Sequence, residues 1–235
     1  MVERDESSRG GAERRKPRRI LVLTFHGLGE PPKSVESKEV PFWVSGESFA
    51  AVLEAVRDRE DVLITFDDGN RSDVETALPA LLERGMRAEF FALAGRLGER
   101  GRLSAQDVGE LAGAGMTIGS HGMDHRKWRN LDAATLRRET VEARAILQDA
   151  AQQPVSHAAA PFGTYDARTL RALLRAGFER VYTSEGGLTR SDRWLMARHT
   201  VKREDRTCAI EHLLAGEPWS TRLTRAAKIA VKRRR

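Results

Sequence analysis

The sequence of 235 residues has little cysteine, few aromatic residues and no long apolar run. Cys208 is the only cysteine, so the chain can form no internal disulfide, and nothing in it requires an oxidising compartment. The first apolar run, residues 20–25, is too short for the apolar region of a signal peptide. No other window approaches the roughly 20 apolar residues of a membrane span. We therefore expect a soluble, cytoplasmic protein with no transmembrane segment.

The charge is moderately positive and is concentrated at the two ends of the chain. The balance of 40 basic to 34 acidic residues gives +6, and "ERRKPRR" at 13–19 and "KIAVKRRR" at 228–235 carry much of the excess. We expect residues 1–18 to form a flexible basic segment. Residues 216–235 are expected to form a basic tail that is solvated or, alternatively, makes peripheral contact with an anionic membrane surface. Nucleic acid is not an expected partner, because aromatic residues, which stack on bases, make up only 6%.

Between the ends, short β-rich runs alternate with segments of helical periodicity. The apolar runs are continuous, as in strands that are covered on both faces. The predicted strands are residues 19–25, 61–66, 87–93, 116–120, 155–160, 180–184 and 194–201, and the predicted helices are residues 47–59, 72–84, 104–114, 132–150, 166–176 and 205–214. This alternation predicts one α/β domain over residues 19–215, a distorted (β/α) barrel with about seven parallel strands. An open doubly wound sheet is the alternative, and in either fold functional residues gather at the C-terminal ends of the strands.

Two adjacent carboxylates, Asp67 and Asp68, stand at such a strand end, and Gly69 permits a sharp turn directly after them. Two carboxylates this close repel each other, so one pKa should rise unless a cation intervenes. A divalent metal would remove the conflict. The alternative is a plain Asp-Asp-Gly turn that caps the following helix.

A pair of histidines, His121 and His125, follows the predicted strand at 116–120. On a helical turn, residues four apart share a face, which would let both imidazoles meet one ion. Two histidines and one aspartate form a three-ligand site with open positions, which is typical of catalytic zinc. Gly122 stands where the metalloprotease pattern His-Glu-x-x-His has its glutamate, so the base must come from elsewhere, and Asp67 is available. Surface histidines without a ligand are the alternative.

Three stretches together resemble the motifs of a known family. "TFDDG" at 65–69 and "SHGMDH" at 120–125 match the first two motifs of the polysaccharide deacetylases of the NodB-homology type, carbohydrate esterase family 4. "APFGTYD" at 160–166 resembles the third motif, and the resemblance runs from about residue 20 to residue 201. It implies a metal-dependent hydrolase that removes N-acetyl groups from a poly- or oligosaccharide.

The resemblance also implies a role for each matching residue. Asp68, His121 and His125 would bind a divalent metal, with Zn²⁺ favoured and non-haem iron the alternative for the same ligand types. Asp67 would act as the base on a water bound to the metal, whose pKa falls to about 7. A backbone N–H near Phe162 would stabilise the oxyanion.

The third motif would line the substrate groove. Its residues are Pro161, Phe162, Gly163 and Tyr165. Either Phe162 and Tyr165 stack on a sugar ring or they belong to the core. Ala159 departs from the family pattern, because many members have an arginine there that tethers the base aspartate. Either another cation such as Arg198 substitutes, or Asp67 is held in another way.

The general acid is the second departure from the family pattern. Most members carry a Leu-x-His on the last strand, whereas "WLMARHTV" at 194–201 places His199 at a different register. Circularly permuted members carry the acid histidine on a strand before the Asp-Asp-Gly motif, and "LVLTFHG" at 21–27 resembles that strand. His26 is therefore the predicted acid, and a strand-capping histidine bonded to backbone is the alternative.

Two other functions fit parts of the same sequence. The site could hydrolyse a linear or cyclic amide that is not a sugar, since the missing arginine leaves room for another substrate class. A catalytically silent barrel that binds glycan or nucleic acid through its basic surface is the alternative outside the enzymes. The four residues Asp67, Asp68, His121 and His125 argue against it, because a silent site has no need of a base beside three ligands.

Overall fold

A computed structural model describes residues 16–33, 35–205, 207–215 and 229–232. The strands of the described residues are β1 (Arg19–Phe25), β2 (Gly27–Leu28), β3 (Trp43–Val44), β4 (Val62–Phe66), β5 (Glu89–Ala92), β6 (Thr117–Ser120), β7 (His157–Ala159), β8 (Arg180–Thr183), β9 (Leu188–Arg190), β10 (Leu195–Ala197) and β11 (His199–Thr200). The predicted end segments 1–18 and 216–235 lie largely outside the described residues.

The helices of the described residues lie between these strands, except the last, which follows β11. They are α1 (Gly46–Val56), α2 (Leu78–Glu83), α3 (Ala105–Gly113), α4 (Ala133–Arg137), α5 (Ala143–Ala151), α6 (Ala167–Arg175) and α7 (Thr207–Ala215). Two π-helical turns extend them, Asp73–Ala77 before α2 and Arg138–Glu142 between α4 and α5. Three short 3₁₀ turns cover Val40–Phe42, Ala94–Arg96 and Pro161–Gly163. The predicted helices are confirmed to within a few residues.

Several helices begin where a side chain satisfies their free N–H groups. Ser104 and Asp107 form a reciprocal capping box at the start of α3. The Asp132 carboxylate accepts a hydrogen bond from the Thr135 N–H at α4, and Asp166 accepts one from the Thr169 N–H at α6. No helix of the described residues is both long and apolar enough to cross a membrane.

The main sheet is a nearly closed barrel of parallel strands in the order β10-β8-β7-β6-β5-β4-β1-β11. Strands β10 and β11 are separated only by Arg198. The first pairs with β8, with Leu195 opposite Val181, and the second pairs with β1, with His199 opposite Leu23. One stretch of chain therefore bridges both ends of the sheet. The predicted α/β barrel is confirmed, and the open doubly wound sheet is wrong.

The structure corrects the predicted strands in three details. The two-residue strands β2 and β3 were not predicted. The last predicted strand, residues 194–201, is divided at Arg198, because that side chain turns into the barrel and the chain changes partner strand there. Strand β9 was not predicted. It runs antiparallel to β1, with Leu188 opposite Leu21, and it follows two glycines that offer no strand signal.

Side chains of successive strand residues point to opposite faces of the barrel wall. On β1, Leu21, Leu23 and Phe25 belong to the large core beneath the helices. Ile20 and Val22 belong to a second cluster with the side chains of Phe91, Ala159, Tyr182 and Met196. Because Asp67 follows β4 and His121 follows β6, both stand at the C-terminal end of the barrel.

Candidate active site

The ends of β4 and β6 bring the three predicted metal ligands together. Asp68 Oδ1 lies 3.2 Å from His125 Nε2 and 3.5 Å from His121 Nε2. One donor atom from each residue lies within 4.8 Å of the others. A zinc ion lies about 2.0–2.2 Å from each nitrogen or oxygen ligand. Donor atoms 3.2–3.5 Å apart are therefore close enough to bind the same ion.

The chemistry of these donors also fits a divalent cation. Asp68 Oδ1 is buried and has no hydrogen-bond partner among the described residues. His121 Nδ1 lies 2.9 Å from the carbonyl oxygen of Ala159, which accepts a hydrogen bond from the Nδ1–H and leaves the lone pair of Nε2 toward Asp68. Burial, followed by the proximity of the His121 imidazole, lowers the pKa of His125 to about 4. His125 is therefore in its neutral, ligating form at neutral pH.

The path of the backbone between the histidines differs from the prediction. Residues 121–125 are not helical, so the argument from a shared helix face is wrong. Gly122 has φ 89° and His125 has φ 57°, and these left-handed conformations turn the loop so that the rings lie 5.2 Å apart. Asp68 is left-handed too, with φ 75°, in the turn that Gly69 continues.

Asp67, the predicted base, is buried against Arg198. Nη1 of Arg198 donates to Asp67 Oδ1 at 2.7 Å, and Nη2 donates to Oδ2 at 2.6 Å. The guanidinium is itself buried and lies 5.3 Å from the ring centre of Phe91 and 5.7 Å from that of Tyr182. Arg198 is thus the cation beside the predicted base, at a position other than Ala159, where the resemblance led us to look for an arginine.

The cations around the two carboxylates decide their ionisation. Burial by itself would raise the pKa of Asp67, but the charge and hydrogen bonds of Arg198 outweigh it and lower that pKa. Burial would also raise the pKa of Asp68, and the neighbouring imidazoles, His26 first, lower it. Neither carboxylate therefore has the raised pKa expected for an unscreened pair, because cations intervene.

A cavity of about 300 Å³ opens over these residues. It is lined by His26, Val35, Glu39, Phe42, Trp43, Asp67, Asp68, Asn70, Arg102, His121, His125, Phe162, Ser184 and Thr200. His26 is part of this lining, and its buried Nδ1 has no hydrogen-bond partner among the described residues. His199 is not one of the lining residues; it lies on β11 beside Leu23.

The residues of the third motif divide between the cleft and the core. Phe162 is 52% exposed, has φ 56°, and places its ring 4.4 Å from that of His125. Pro161 and Gly163 are buried beneath it. Tyr165 is 1% exposed and donates its hydroxyl to Glu185, so it is a core residue and does not present its ring to the cleft.

Part of the cleft wall comes from segments outside the three motifs. Trp43 and Phe42 stand at the end of a 3₁₀ turn, and the pairing of β2 with β3 places Trp43 against Gly27. A Cβ at residue 27 would lie 2.2 Å from the indole, so only glycine fits there. The glycine directly after His26 was a signal for this close contact, but its partner could not be read from the sequence.

A second cavity, of about 380 Å³, adjoins the first and shares Trp43, Arg102, His125 and Phe162 with it. Arg102 also fixes the first motif, because its Nη1 donates to the Asp68 carbonyl at 3.2 Å and to Asn70 Oδ1 at 2.8 Å. The cleft therefore continues beyond the first cavity, past the predicted ligand His125.

One basic residue of the predicted C-terminal tail contacts the third-motif loop. Lys232 Nζ donates to Glu185 Oε1 at 3.0 Å and to the Gly163 carbonyl at 3.2 Å. Its ammonium lies 5.6 Å from the ring centre of Tyr165. This residue of the tail therefore contacts protein, whereas residues 216–228 lie outside the described part of the chain.

The chain is similar to known proteins over most of its length. The family model for polysaccharide deacetylase matches residues 55–181, more than half of the chain. YxkH of Bacillus subtilis (strain 168), provisionally named a polysaccharide deacetylase, is 24% identical over 218 residues, which cover 86% of this chain and 77% of YxkH. A chitooligosaccharide deacetylase of Rhizobium leguminosarum bv. trifolii is 28% identical over 132 residues, 56% of this chain and 60% of that protein.

A solved structure has the same architecture. The deacetylase PplD of Streptococcus pyogenes, in complex with acetate, aligns with a TM-score of 0.75 at 18% identity. The alignment covers 86% of this chain and 100% of the PplD chain. At this identity the likeness is one of fold, and it agrees with the nearly closed parallel barrel described above.

Proposed function

Because this chain belongs to the polysaccharide deacetylase family, we propose that it is a metal-dependent hydrolase that removes N-acetyl groups from a poly- or oligosaccharide. One observation carries the proposal. Asp68, His121 and His125 converge at one point of a cleft, and the carboxylate of Asp67 lies beside them, with Oδ2 3.8 Å from His121 Nε2.

Asp67 is the general base of the proposed reaction. A divalent cation held by the three ligands would polarise the amide carbonyl and ease the loss of a proton from water. Arg198 keeps Asp67 ionised, so its carboxylate can accept that proton as the water oxygen bonds to the carbonyl carbon. The pair with Arg198 also fixes the direction of the carboxylate.

His26 is the general acid, and the backbone N–H of Phe162 stabilises the oxyanion. His26 lines the same cavity as Asp67, and its unpartnered Nδ1 supports a role toward a bound molecule. It donates a proton to the amide nitrogen as the C–N bond breaks. The products are acetate and a free amine on the sugar.

The cleft supports a glycan chain as the substrate more than a small amide. The two adjoining cavities, of about 300 and 380 Å³, share lining residues that include His125 and Phe162, so together they offer more room than a small amide needs. Phe162, which is 52% exposed, offers an aromatic face that can pack against a sugar ring. The name of the Rhizobium relative, a chitooligosaccharide deacetylase, supports the same substrate class.

We also propose zinc as the metal, on the basis of two imidazoles and one carboxylate with open positions. A cytoplasmic location and a peripheral membrane contact through residues 216–235 stay predictions.

The test is acetate release by chelator-treated protein after addition of single metals. N-acetylglucosamine oligomers of increasing length are compared with small linear and cyclic amides. We expect release from the oligomers that depends on added metal and increases with chain length. Hydrolysis confined to the small amides, or no acetate from any acetylated sugar with any of zinc, cobalt, manganese and iron, would contradict the proposal.

A further inference from the structure

The loop between the two histidines adopts a conformation that needs external support. Gly122 and His125 both have positive φ, at 89° and 57°. A histidine in this region is strained and keeps the conformation only where its surroundings enforce it. No regular secondary structure is present across residues 121–128 to provide that support.

The buried carboxylate of Glu139 accepts hydrogen bonds from this loop. Its Oε2 accepts hydrogen bonds from the Met123 N–H at 2.9 Å and from the Trp128 indole N–H at 3.4 Å. Its Oε1 accepts a bond from the Asp124 N–H at 3.2 Å. The side chain is 0% exposed, so these donors replace the water that a buried carboxylate requires.

The carboxylate and the loop are fitted to each other in shape. A Cβ at residue 122 would lie 2.4 Å from Glu139 Oε2, so the glycine leaves the space that the carboxylate oxygen occupies. Glu139 is in the π-helical turn Arg138–Glu142, and π-helical turns are frequent at functional sites. From the same turn, Arg138 forms an ion pair with the carboxylate of Asp124. The loop is therefore held through its backbone and through a side chain.

We propose that Glu139 is a positioning residue for the metal site, and that its carboxylate fixes the loop that carries His125. It acts through the loop, because it is buried and is not one of the residues that line the cleft. The inference rests on the metal site of the proposed function. Groups that orient metal ligands typically change metal affinity by about 10- to 100-fold when they are removed.

The test compares Glu139→Gln with Glu142→Gln. Glutamine keeps the shape but turns an N–H group toward the loop donors. Glu142 lies in the same turn, but it is exposed and forms a surface ion pair with Arg137. Affinity for Co²⁺ is measured from its visible spectrum, and Zn²⁺ affinity by competition with a chelator. We expect about 10- to 100-fold weaker binding for Glu139→Gln and an unchanged affinity for Glu142→Gln.

A second readout needs no metal. In the metal-free protein, hydrogen exchange at the Met123 and Asp124 amides should become faster in Glu139→Gln and remain unchanged in Glu142→Gln. If Glu139→Gln does not fold, Gly122→Ala takes its place. The added methyl group displaces the carboxylate without removing it, so the same loss of metal affinity is expected.

The outcomes separate this inference from the proposed function. Suppose that Glu139→Gln folds with lower thermal stability but binds metal within about twofold of the parent chain. Glu139 would then be a merely structural residue, and the inference would be overturned. The same holds for unchanged affinity in Gly122→Ala. A parent chain that takes up no metal overturns the proposed function, and the inference with it.

Discussion

Arg198 and Asp67, 131 residues apart in the chain, form a buried ion pair in which each carboxylate oxygen accepts one hydrogen bond from the guanidinium. Arg198 lies at the point where the chain passes from β10 to β11, which closes the barrel. The side chain that fixes the proposed base is thus supplied by the stretch that joins the two ends of the sheet. Closure of the barrel and placement of the base depend on the same residue.

Replacement of Arg198 should impair both stability and activity. Arg198→Met leaves Asp67 buried without its cation, and removal of one partner of a buried pair costs about 3–5 kcal/mol of unfolding free energy. Burial then prevails and the pKa of Asp67 rises, so the acidic limb of the pH–rate profile should move to higher pH. Arg198→Lys keeps the charge without the two-pronged geometry and should recover only part of the activity.

Because the pKa of Asp67 is lowered in the folded parent chain, the free energy of unfolding should decrease as the pH falls. The pair stabilises the fold above the unfolded pKa of about 3.9, and this contribution is lost as the pH falls through the folded value. Arg190→Met is the matched control, because Arg190 on the surface also donates two hydrogen bonds, from Nε and Nη2, to the two carboxylate oxygens of Asp192. An equal loss of stability in both variants would contradict a special role for Arg198.

Replacement of Asp67 should remove activity, whereas replacement of Asp68 should remove the bound metal. Asp67→Asn should lower kcat by about 10²- to 10⁴-fold, the usual contribution of a general base, and leave the bound metal in place. Asp68→Asn should lose the metal itself. Metal analysis of both purified variants, together with acetate release, checks this. Loss of metal from Asp67→Asn would show that Asp67 is a ligand and not the base.

The two candidate acids can be separated by the same assay. His26→Gln should lower kcat by about 10²- to 10⁴-fold without a change in metal content, because His26 lines the cleft. His199→Gln should retain most of the activity, because His199 is not one of the lining residues. A larger loss of kcat in His199→Gln than in His26→Gln would reverse the assignment.

The convergence of the three candidate metal ligands could be predicted from the sequence. Asp68 and His121 each follow an apolar run directly, and the C-terminal ends of parallel strands meet at one edge of the barrel. The spacing of His121 and His125 correctly indicated that both imidazoles lie near one point, which they share with Asp68, but the assumed helix was wrong. The loop has left-handed residues, and Glu139, which holds it, lies fourteen residues beyond His125 with nothing in its local sequence to indicate the contact.

Other features depend on tertiary contacts that no local pattern records. The sequence offered Arg198 only as one cation that could replace the missing arginine, because its contact with Asp67 exists only when the barrel closes. The pairing of β2 with β3 brings Trp43 to the cleft. Each of these strands has two residues, too few to produce a hydrophobic alternation that could be recognised in the sequence. Tyr165 belongs to the same motif as Phe162, yet only the fold places one ring in the core and the other at the cleft.

Asp73 provides a test of burial without compensation. The carboxyl is 1% exposed, and neither oxygen has a hydrogen-bond partner among the described residues. Burial, with the charge of Asp68, raises its pKa well above the usual value. A raised pKa means that the stability linked to this group is fully present below the unfolded pKa of about 3.9 and is lost as the pH rises through the folded value.

Asp73→Asn should therefore stabilise the metal-free protein near neutral pH, because the amide carries no charge to bury. For a chain of this size, each 1 kcal/mol corresponds to about 2–4 °C in Tm. The difference in Tm between variant and parent should grow from pH 4 to pH 8, measured by thermal unfolding after treatment with a chelator. Asp192→Asn, at an exposed position, is the control and should show no such growth. A Tm difference for Asp73→Asn that is constant or falls with rising pH would mean that a partner compensates the buried charge.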